Sequence, residues 1–197
     1  IGLSSAYLNN VELKTEAEPY LRKLSQETKQ TVFLAMLQDR EVVYLDKYEQ
    51  FNSLRKYSVI GRRRPVYCTS LGKAMIMDRS DEEIARFFAG IELRGFTSNT
   101  KTDLPSLLED LHRSSRRGWS LDDEELEPGE NCVGAPLYDY RGSAIGAISV
   151  SWKKDIGLPP EAVGGKVAET AAEISRRLGY TGIRRNEIFV DIPPASW

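Results

Sequence analysis

Apolar residues recur at helical spacing in several segments of the chain, and residues that favour helix starts or ends border these segments. The first predicted helix covers residues 15–29, because Thr15 and Glu18 can form a capping box and Pro19 stands in the first turn. Caps predict four further helices. They are a short helix from Thr69 or Ser70, a helix opened by Ser80 and Glu83 and ending at Gly90, a helix from Thr102 or Asp103 to Gly118, and a last helix from Pro159 or Pro160.

Shorter apolar runs bounded by polar residues predict β-strands. The predicted strands cover residues 31–37, 42–47, 51–60, 131–138 and 144–152. Residues 38–41 form a polar turn between the first two strands, and residues 61–65 are predicted as a loop. The order of helix, strands, helices, strands and helix predicts an α+β fold, in which a sheet lies between layers of helices.

Composition and charge narrow the class of protein. The chain has 197 residues, 41% of them hydrophobic, and its net charge of −2 is less basic than a self-sufficient DNA-binding domain usually is. No apolar run approaches the roughly 18–20 residues that span a bilayer, and the start of the chain lacks a signal-peptide pattern. Cys68 and Cys132 lie far apart without a CxxC pattern, which suits a reducing compartment. We therefore expect a cytoplasmic protein with no membrane partner.

The two ends of the chain differ from its middle. The chain starts at Ile1 rather than at a methionine, and its first residues are typical of the end of a helix or of a linker. We expect a fragment of a longer protein, in which residues 1–14 end a linker and residues 15–179 form the main domain. Residues 180–197 are predicted as a tail, because Pro193 and Pro194 disfavour regular structure.

The predicted hairpin at residues 131–152 carries small side chains on one face. Because side chains alternate along a strand, that face holds Cys132, Gly134, Pro136, Ala147, Ser149 and Ser151. With Tyr140 and Arg141 at the centre of the loop, Cys132 lies opposite Ser149, and a bulge at Gly142 would shift that register by one. Such a face leaves room for a ligand and offers hydroxyl groups, and Asp122 in the acidic turn before it can accept hydrogen bonds. The alternative is that the small residues merely let a helix pack closely.

The predicted helix start at Ser70 also has more than one interpretation. The unpaired N–H groups of Ser70 and Leu71 could bind a carboxylate, or the turn could only cap the helix. Ser70 and Lys73 also match the Ser-x-x-Lys spacing of penicillin-binding enzymes, which makes an acyl-transfer enzyme one alternative, although the chain contains no Lys-Thr-Gly. A ligand-free oligomerisation domain is another alternative.

Metal and cofactor sites have little support in the sequence. The single histidine, His112, falls in a predicted helix, and the acidic run from Asp122 to Glu125 lacks the periodicity of an EF-hand. The chain has neither a GxGxxG nor a Walker pattern. We expect no metal, no cofactor and no catalytic residues.

Two long segments of the chain resemble the C-terminal effector-binding domain of IclR-family transcriptional regulators. RRPVYCTSLGKAM is similar to the family's segment Pro-Leu-His-x-[Ser/Thr]-x-x-Gly-Lys-Ala. GWSLDDEELEPGENCVGAPLYDYRGSAIGAISVS is similar to its Gly-Tyr-x-x-Asp-x-Glu-Glu, Cys-Ile-Ala-x-Pro and Ala-[Ile/Leu]-Ser-[Ile/Val]-Ser elements. The resemblance runs from about residue 10 to residue 179, which is nearly the whole chain.

This resemblance implies a GAF-like, profilin-like domain with a central antiparallel sheet flanked by helices. The implied function is that of a DNA-binding transcription regulator, a repressor of a carbohydrate or sugar-acid operon, which binds a small-molecule effector and is not an enzyme. The implied effector-binding residues are Ser70, Leu71, Asp122, Cys132, Ser149 and Ser151. The implied partners are further copies of the chain, in a homodimer or homotetramer, and DNA through a winged helix-turn-helix domain that this chain lacks.

Within the family, NSLRKYSVIGRRRPVY resembles the branch that senses keto-sugar acids and related acids. Arg55 could then pair with a ligand carboxylate, or it could be a solvated arginine on a strand edge. Residues 62–64, three consecutive arginines, are predicted as a solvated loop. The chain departs from the family pattern at Leu71 and Trp152, which are bulkier than the residues usual there.

Overall fold

The computed structural model describes residues 2–49 and 59–182, with backbone alone for residues 2–10. Within these ranges a six-stranded antiparallel sheet has the strand order β3-β2-β1-β6-β5-β4. The strands are β1 Thr31–Gln38, β2 Glu41–Tyr48, β3 Arg63–Pro65, β4 Ser120–Asp123, β5 Glu130–Tyr138 and β6 Ala144–Lys153. The helices are α1 Gly2–Thr28, α2 Ser70–Ile76, α3 Asp81–Phe88, α4 Leu104–Arg117 and α5 Pro160–Arg177. The predicted α+β class is confirmed.

The helices cover both faces of the sheet. Helices α1 and α5 pack against one face, where Leu21, Leu34 and Ile174 belong to one core cluster. Helix α2 lies on the other face with α3 and α4 around it, and Leu71, Ile84 and Leu107 belong to a second cluster. No helix among the described residues combines the length and the hydropathy needed to cross a membrane.

Helix α1 begins earlier than the sequence predicts. It runs from Gly2 without a break across residues 14 and 15, and the hydroxyl of Thr15 donates to the backbone oxygen of Val11 instead of capping a helix start. Pro19 therefore lies in the helix interior, where a missing N–H and ring crowding cost about 3 kcal/mol. The predicted start was wrong because the buried stripe continues on both sides of this proline: Leu13, Ala17, Leu21 and Leu24.

The other helix predictions are confirmed at their caps. Thr69 caps α2, Ser80 and Glu83 form the capping box of α3, and Asp103 caps α4. Gly118 ends α4 in the left-handed conformation, with φ of 81°. Helix α5 begins at Pro160 as predicted, since proline fits the first helical turn.

Both predicted hairpins are confirmed, but three details were wrong. The predicted loop 61–65 contains strand β3, and the predicted acidic turn contains strand β4, so Asp122 lies within a strand. Cys132 pairs with Ser151, and Ser149 pairs with Gly134. The register moves by two residues because the loop spans Asp139 to Ser143 and the ladder shifts at Tyr138. A shift of two keeps every side chain on its predicted face.

Two predicted segments lie wholly or largely outside the described residues. The third predicted strand covers residues 51–60, of which only Val59 and Ile60 are described, and both lie in a turn. Arg55 is therefore outside the described residues. Of the predicted tail, residues 180–182 are described and have no regular structure.

Candidate binding site

A cavity of about 170 Å³ opens on the α2 face of the sheet. Six residues that the sequence singled out line it together: Ser70, Leu71, Asp122, Cys132, Ser149 and Ser151. Further lining residues that the sequence did not single out include Phe33, Tyr44, Arg62, Arg64, Thr69, Glu127 and Glu130. The structure thus brings these six predicted positions into one space, and the seventh, Arg55, lies outside the described residues.

Strand pairing builds the floor of this cavity. Asp122 lies opposite Cys132, Cys132 lies opposite Ser151, and Ser151 lies opposite Thr31, so one transverse row crosses four strands. Ser149 stands in the next row of the same face, opposite Gly134. The floor therefore combines a carboxyl group, a thiol and two hydroxyls on small side chains, which leaves the space above them open.

Gly134 lets the start of α2 approach the sheet. A Cβ atom on Gly134 would lie 2.8 Å from the carbonyl carbon and oxygen of Ser70, closer than real contacts allow. The hydroxyl of Ser120 also donates to the oxygen of Ser70 over 2.6 Å. Close helix packing, the alternative left open by the sequence, therefore holds at Gly134, while Ser149 and Ser151 face the cavity.

The carboxyl group of Asp122 is buried at the edge of the cavity, with the residue 5% exposed. Its Oδ1 accepts a hydrogen bond of 2.7 Å from the backbone N–H of Glu125. Burial raises the pKa of Asp122 to about 7, although the positive charge of Lys73 and the bond from the Glu125 amide oppose that rise. Near neutral pH this group therefore exchanges between a hydrogen-bond acceptor and a donor.

Lys73 is fully buried behind the cavity wall. Its Nζ donates to Asp110 Oδ2 at 2.6 Å, to Glu125 Oε1 at 2.7 Å and to the backbone oxygen of Leu121. Burial opposes the charged amine, but the two carboxylates outweigh it and raise the pKa of Lys73. A charged amine with three acceptors cannot serve as a base for Ser70, so this geometry argues against the acyl-transfer alternative.

The aromatic and thiol groups of the cavity are neutral. Phe33 and Tyr44 meet edge to face, with ring centroids 5.3 Å apart, and form an apolar wall on β1 and β2. Burial raises the pKa of the Tyr44 hydroxyl and of the Cys132 thiol well above their ordinary values. Both groups therefore stay protonated at neutral pH, and Cys132 offers bulk and a weak hydrogen bond in place of a reactive thiolate.

Two arginines, one in β3 and one directly before it, are functional candidates that the sequence reasoning missed. Arg62 and Arg64 line the cavity, whereas Arg63 points elsewhere and pairs with Glu41 at 2.9 Å and Asp39 at 3.2 Å. Strand alternation, with period two, was the signal that could have separated these three residues. Because residues 61–65 are predicted as a loop, the sequence alone implies no alternation there.

His112 and the two middle residues of the acidic run, Asp123 and Glu124, form ion pairs at or near the surface. His112 is exposed and its Nε2 lies 2.7 Å from Asp81 Oδ1. Asp123 and Glu124 pair with Lys154 at the surface. Across residues 2–49 and 59–182, His, Cys, Asp and Glu side chains do not form a group of three or more suited to a metal ion.

The sequence model for the family described as bacterial transcriptional regulator IclR, C-terminal, matches residues 5–176 of this chain. The chain belongs to the IclR family. The matched segment contains every described residue that lines the cavity, so the cavity is a feature of the chain's IclR C-terminal domain.

Curated IclR-family relatives match over most of the chain. The transcriptional regulator KdgR of Escherichia coli K12 is 35% identical over 181 residues, which cover 90% of this chain and 68% of the relative. The transcriptional repressor AllR of Salmonella typhi is 32% identical over 180 residues, which cover 90% of this chain and 66% of the relative. The chain thus spans about two thirds of the length of these relatives.

Solved IclR-family structures have the same fold. The C-terminal domain of E. coli KdgR has a TM-score of 0.75 at 30% identity, over 85% of this chain and 99% of that domain. The IclR protein of Thermotoga maritima has a TM-score of 0.80 at 31% identity, over 91% of this chain and 74% of that one. The α+β sheet described above is therefore the fold of IclR C-terminal domains.

Proposed function

We propose that this chain is the effector-binding domain of a transcription regulator, and that its cavity binds a small hydrophilic carboxylic acid. The observation that carries this proposal is the convergence of Ser70, Leu71, Asp122, Cys132, Ser149 and Ser151 on one cavity. The resemblance to the IclR family implies ligand contacts at these six residues, and strand alternation independently puts Cys132, Ser149 and Ser151 on one face.

The chemistry of the cavity suits an acid that also carries hydroxyl or keto groups. Ser149 and Ser151 can donate to or accept from ligand oxygens, and Asp122 can accept from ligand hydroxyls when it is ionised. The amides of Ser70 and Leu71 belong to the first turn of α2, where no acceptor exists within the helix. The relatives KdgR and AllR are named as a transcriptional regulator and a transcriptional repressor, which supports a regulatory role for this chain. The resemblance of residues 52–67 to one branch of the family favours keto-sugar acids as the effector class.

Binding would be coupled to DNA affinity through the sheet and α1. Phe33 on β1 faces the cavity, whereas its neighbours Val32 and Leu34 pack in the core beneath α1 and α5. A ligand that shifts β1 would therefore also shift the packing of α1. The coupling requires that the ligand bind one arrangement of β1 and α1 more tightly than another. The N-terminal part of α1 would lead towards a DNA-binding helix-turn-helix domain, in a homodimer or homotetramer that acts as a repressor.

A thermal-shift screen of sugar acids and keto acids, each beside its neutral alcohol or amide, tests this proposal. A ligand that binds only the folded chain raises its melting temperature. We expect at least one acid to stabilise the chain and its neutral counterpart to do so less. If no acid of the panel raised the melting temperature, the proposal would fail, and a ligand-free oligomerisation domain would be favoured.

A further inference from the structure

Because side chains alternate along β3, Arg64 faces the cavity and Arg63 does not. Arg64 pairs with Val42 and Arg63 pairs with Val43 in the β2–β3 ladder. Val42 is fully buried in the core cluster on the α2 face, so Arg64 shares the cavity side of the sheet. Arg62 continues this ladder, because its backbone oxygen accepts from the N–H of Tyr44 at 3.1 Å, and its side chain also lines the cavity.

Arg64 meets an acidic residue from the other end of the sheet. Strands β3 and β4 are the two edges of the sheet, yet Arg64 Nη2 lies 3.7 Å from Oε1 of Glu127 in the β4–β5 loop. The two side chains are 31% and 57% exposed. The sheet therefore curls around the cavity, and the Arg64–Glu127 pair joins its two edges.

This pair is weak compared with what a ligand can offer. At 3.7 Å the two atoms are too far apart for a direct hydrogen bond, and partly exposed ion pairs contribute about 0–1 kcal/mol. A ligand carboxylate that enters the cavity can instead form two parallel, charge-assisted hydrogen bonds with the planar guanidinium. Glu130, the other glutamate of the cavity, already pairs with Lys153 and so competes less for Arg64.

We infer that Arg64, together with Arg62, is the receptor for the effector's carboxylate, and that Glu127 is the internal anion which this carboxylate displaces. The inference rests on the proposed function and adds a specificity rule to it. Effectors must carry a negative charge at the end that faces β3. When the effector's carboxylate replaces Glu127 on Arg64, the β4–β5 loop loses its contact with β3. An anion must therefore bind Arg64 more strongly than Glu127 does.

Calorimetric titration of the 197-residue chain with gluconate and with pyruvate tests this inference, with sorbitol as the uncharged counterpart of gluconate. Arg64→Gln should weaken the binding of the acids about tenfold or more, since charge-assisted bonds are lost. Glu127→Gln should strengthen it, because the internal competitor loses its charge. Arg63→Gln is the matched control, as it removes the same charge one residue away on the outer side, and it should leave affinity nearly unchanged.

The outcomes separate this inference from the proposed function. If the wild-type chain binds neither of these acids nor any other acid of the thermal-shift panel, the proposed function fails and this inference fails with it. If the wild-type chain binds an acid and Arg64→Gln binds it equally well, or Glu127→Gln binds it more weakly, only the inference is overturned. Arg64→Lys provides a second variant that keeps the charge, and its affinity should lie between those of wild type and Arg64→Gln.

Discussion

The backbone N–H of Glu125 donates a hydrogen bond of 2.7 Å to Oδ1 of Asp122. The carboxylate of the same Glu125 accepts a hydrogen bond from the buried amine of Lys73. Asp122 faces the cavity, whereas Lys73 lies behind it in α2. The position and the charge of a cavity residue therefore depend on an ion pair that lies outside the cavity.

The raised pKa of Asp122 should make stability depend on pH. Asp122 has an ordinary pKa of 3.8 and one of about 7 in the folded chain, so the folded state keeps a proton that the unfolded state has lost between these values. The stability from this group is therefore greatest at low pH and is lost as pH rises through about 7. When the pH is raised from 5 to 8, the free energy of unfolding of wild type should therefore fall relative to that of Asp122→Asn by on the order of 3 kcal/mol.

Urea unfolding of both chains at the two pH values measures this difference directly. The other titrating groups are common to both chains and cancel in the comparison. A constant difference between the two chains would show that Asp122 is ionised throughout this range.

Removal of the buried amine should destabilise the chain strongly. Lys73→Met leaves Asp110 and Glu125 without their buried cation, which costs about 3–5 kcal/mol. Lys101→Met is the matched control, because Lys101 contacts the same Glu125 at 3.1 Å but is 24% exposed, and its loss should cost about 1 kcal/mol. Chemical denaturation that gave equal losses for the two variants would contradict the role assigned to Lys73.

A methyl group at Gly134 should disturb the contact between α2 and the sheet. The added Cβ would lie 2.8 Å from backbone atoms of Ser70, which cannot rotate away, so Gly134→Ala should cost about 1–3 kcal/mol. Gly165→Ala provides the comparison, since Gly165 lies in α5 with open space at its Cβ position, and it should stabilise the chain by about 0.5–1 kcal/mol. Thermal unfolding that ranked both alanines as neutral would contradict the close approach at Gly134.

Local patterns predict much of this fold because the physics behind them is local. The caps at Ser80 and Asp103 act on backbone groups within one turn, and the alternation that places Ser149 and Ser151 on one face survives a register shift of two. The start of α1 was wrong because burial of residues such as Leu13 outweighs the local effect of Pro19.

Other parts of the site depend on contacts between distant segments. The partners of Lys73 come from α4 and from the segment that follows β4, and no spacing rule connects these positions. Arg64 was assigned to a solvated loop because β3 has only three residues, too few for an alternating pattern to be recognised. The pairing of Arg64 with Glu127 further requires the curl of the whole sheet.

The hydroxyls of Ser149 and Ser151 provide the most direct test of the proposed effector site. The measurement is calorimetric titration of Ser149→Val/Ser151→Val with the acid that gives the largest thermal shift, beside Ser149→Thr/Ser151→Thr, which adds similar volume but keeps both hydroxyls. We expect the valine variant to keep its fold and to lose measurable binding, and the threonine variant to retain part of it. Wild-type affinity in a folded valine variant would show that the acid binds outside this cavity.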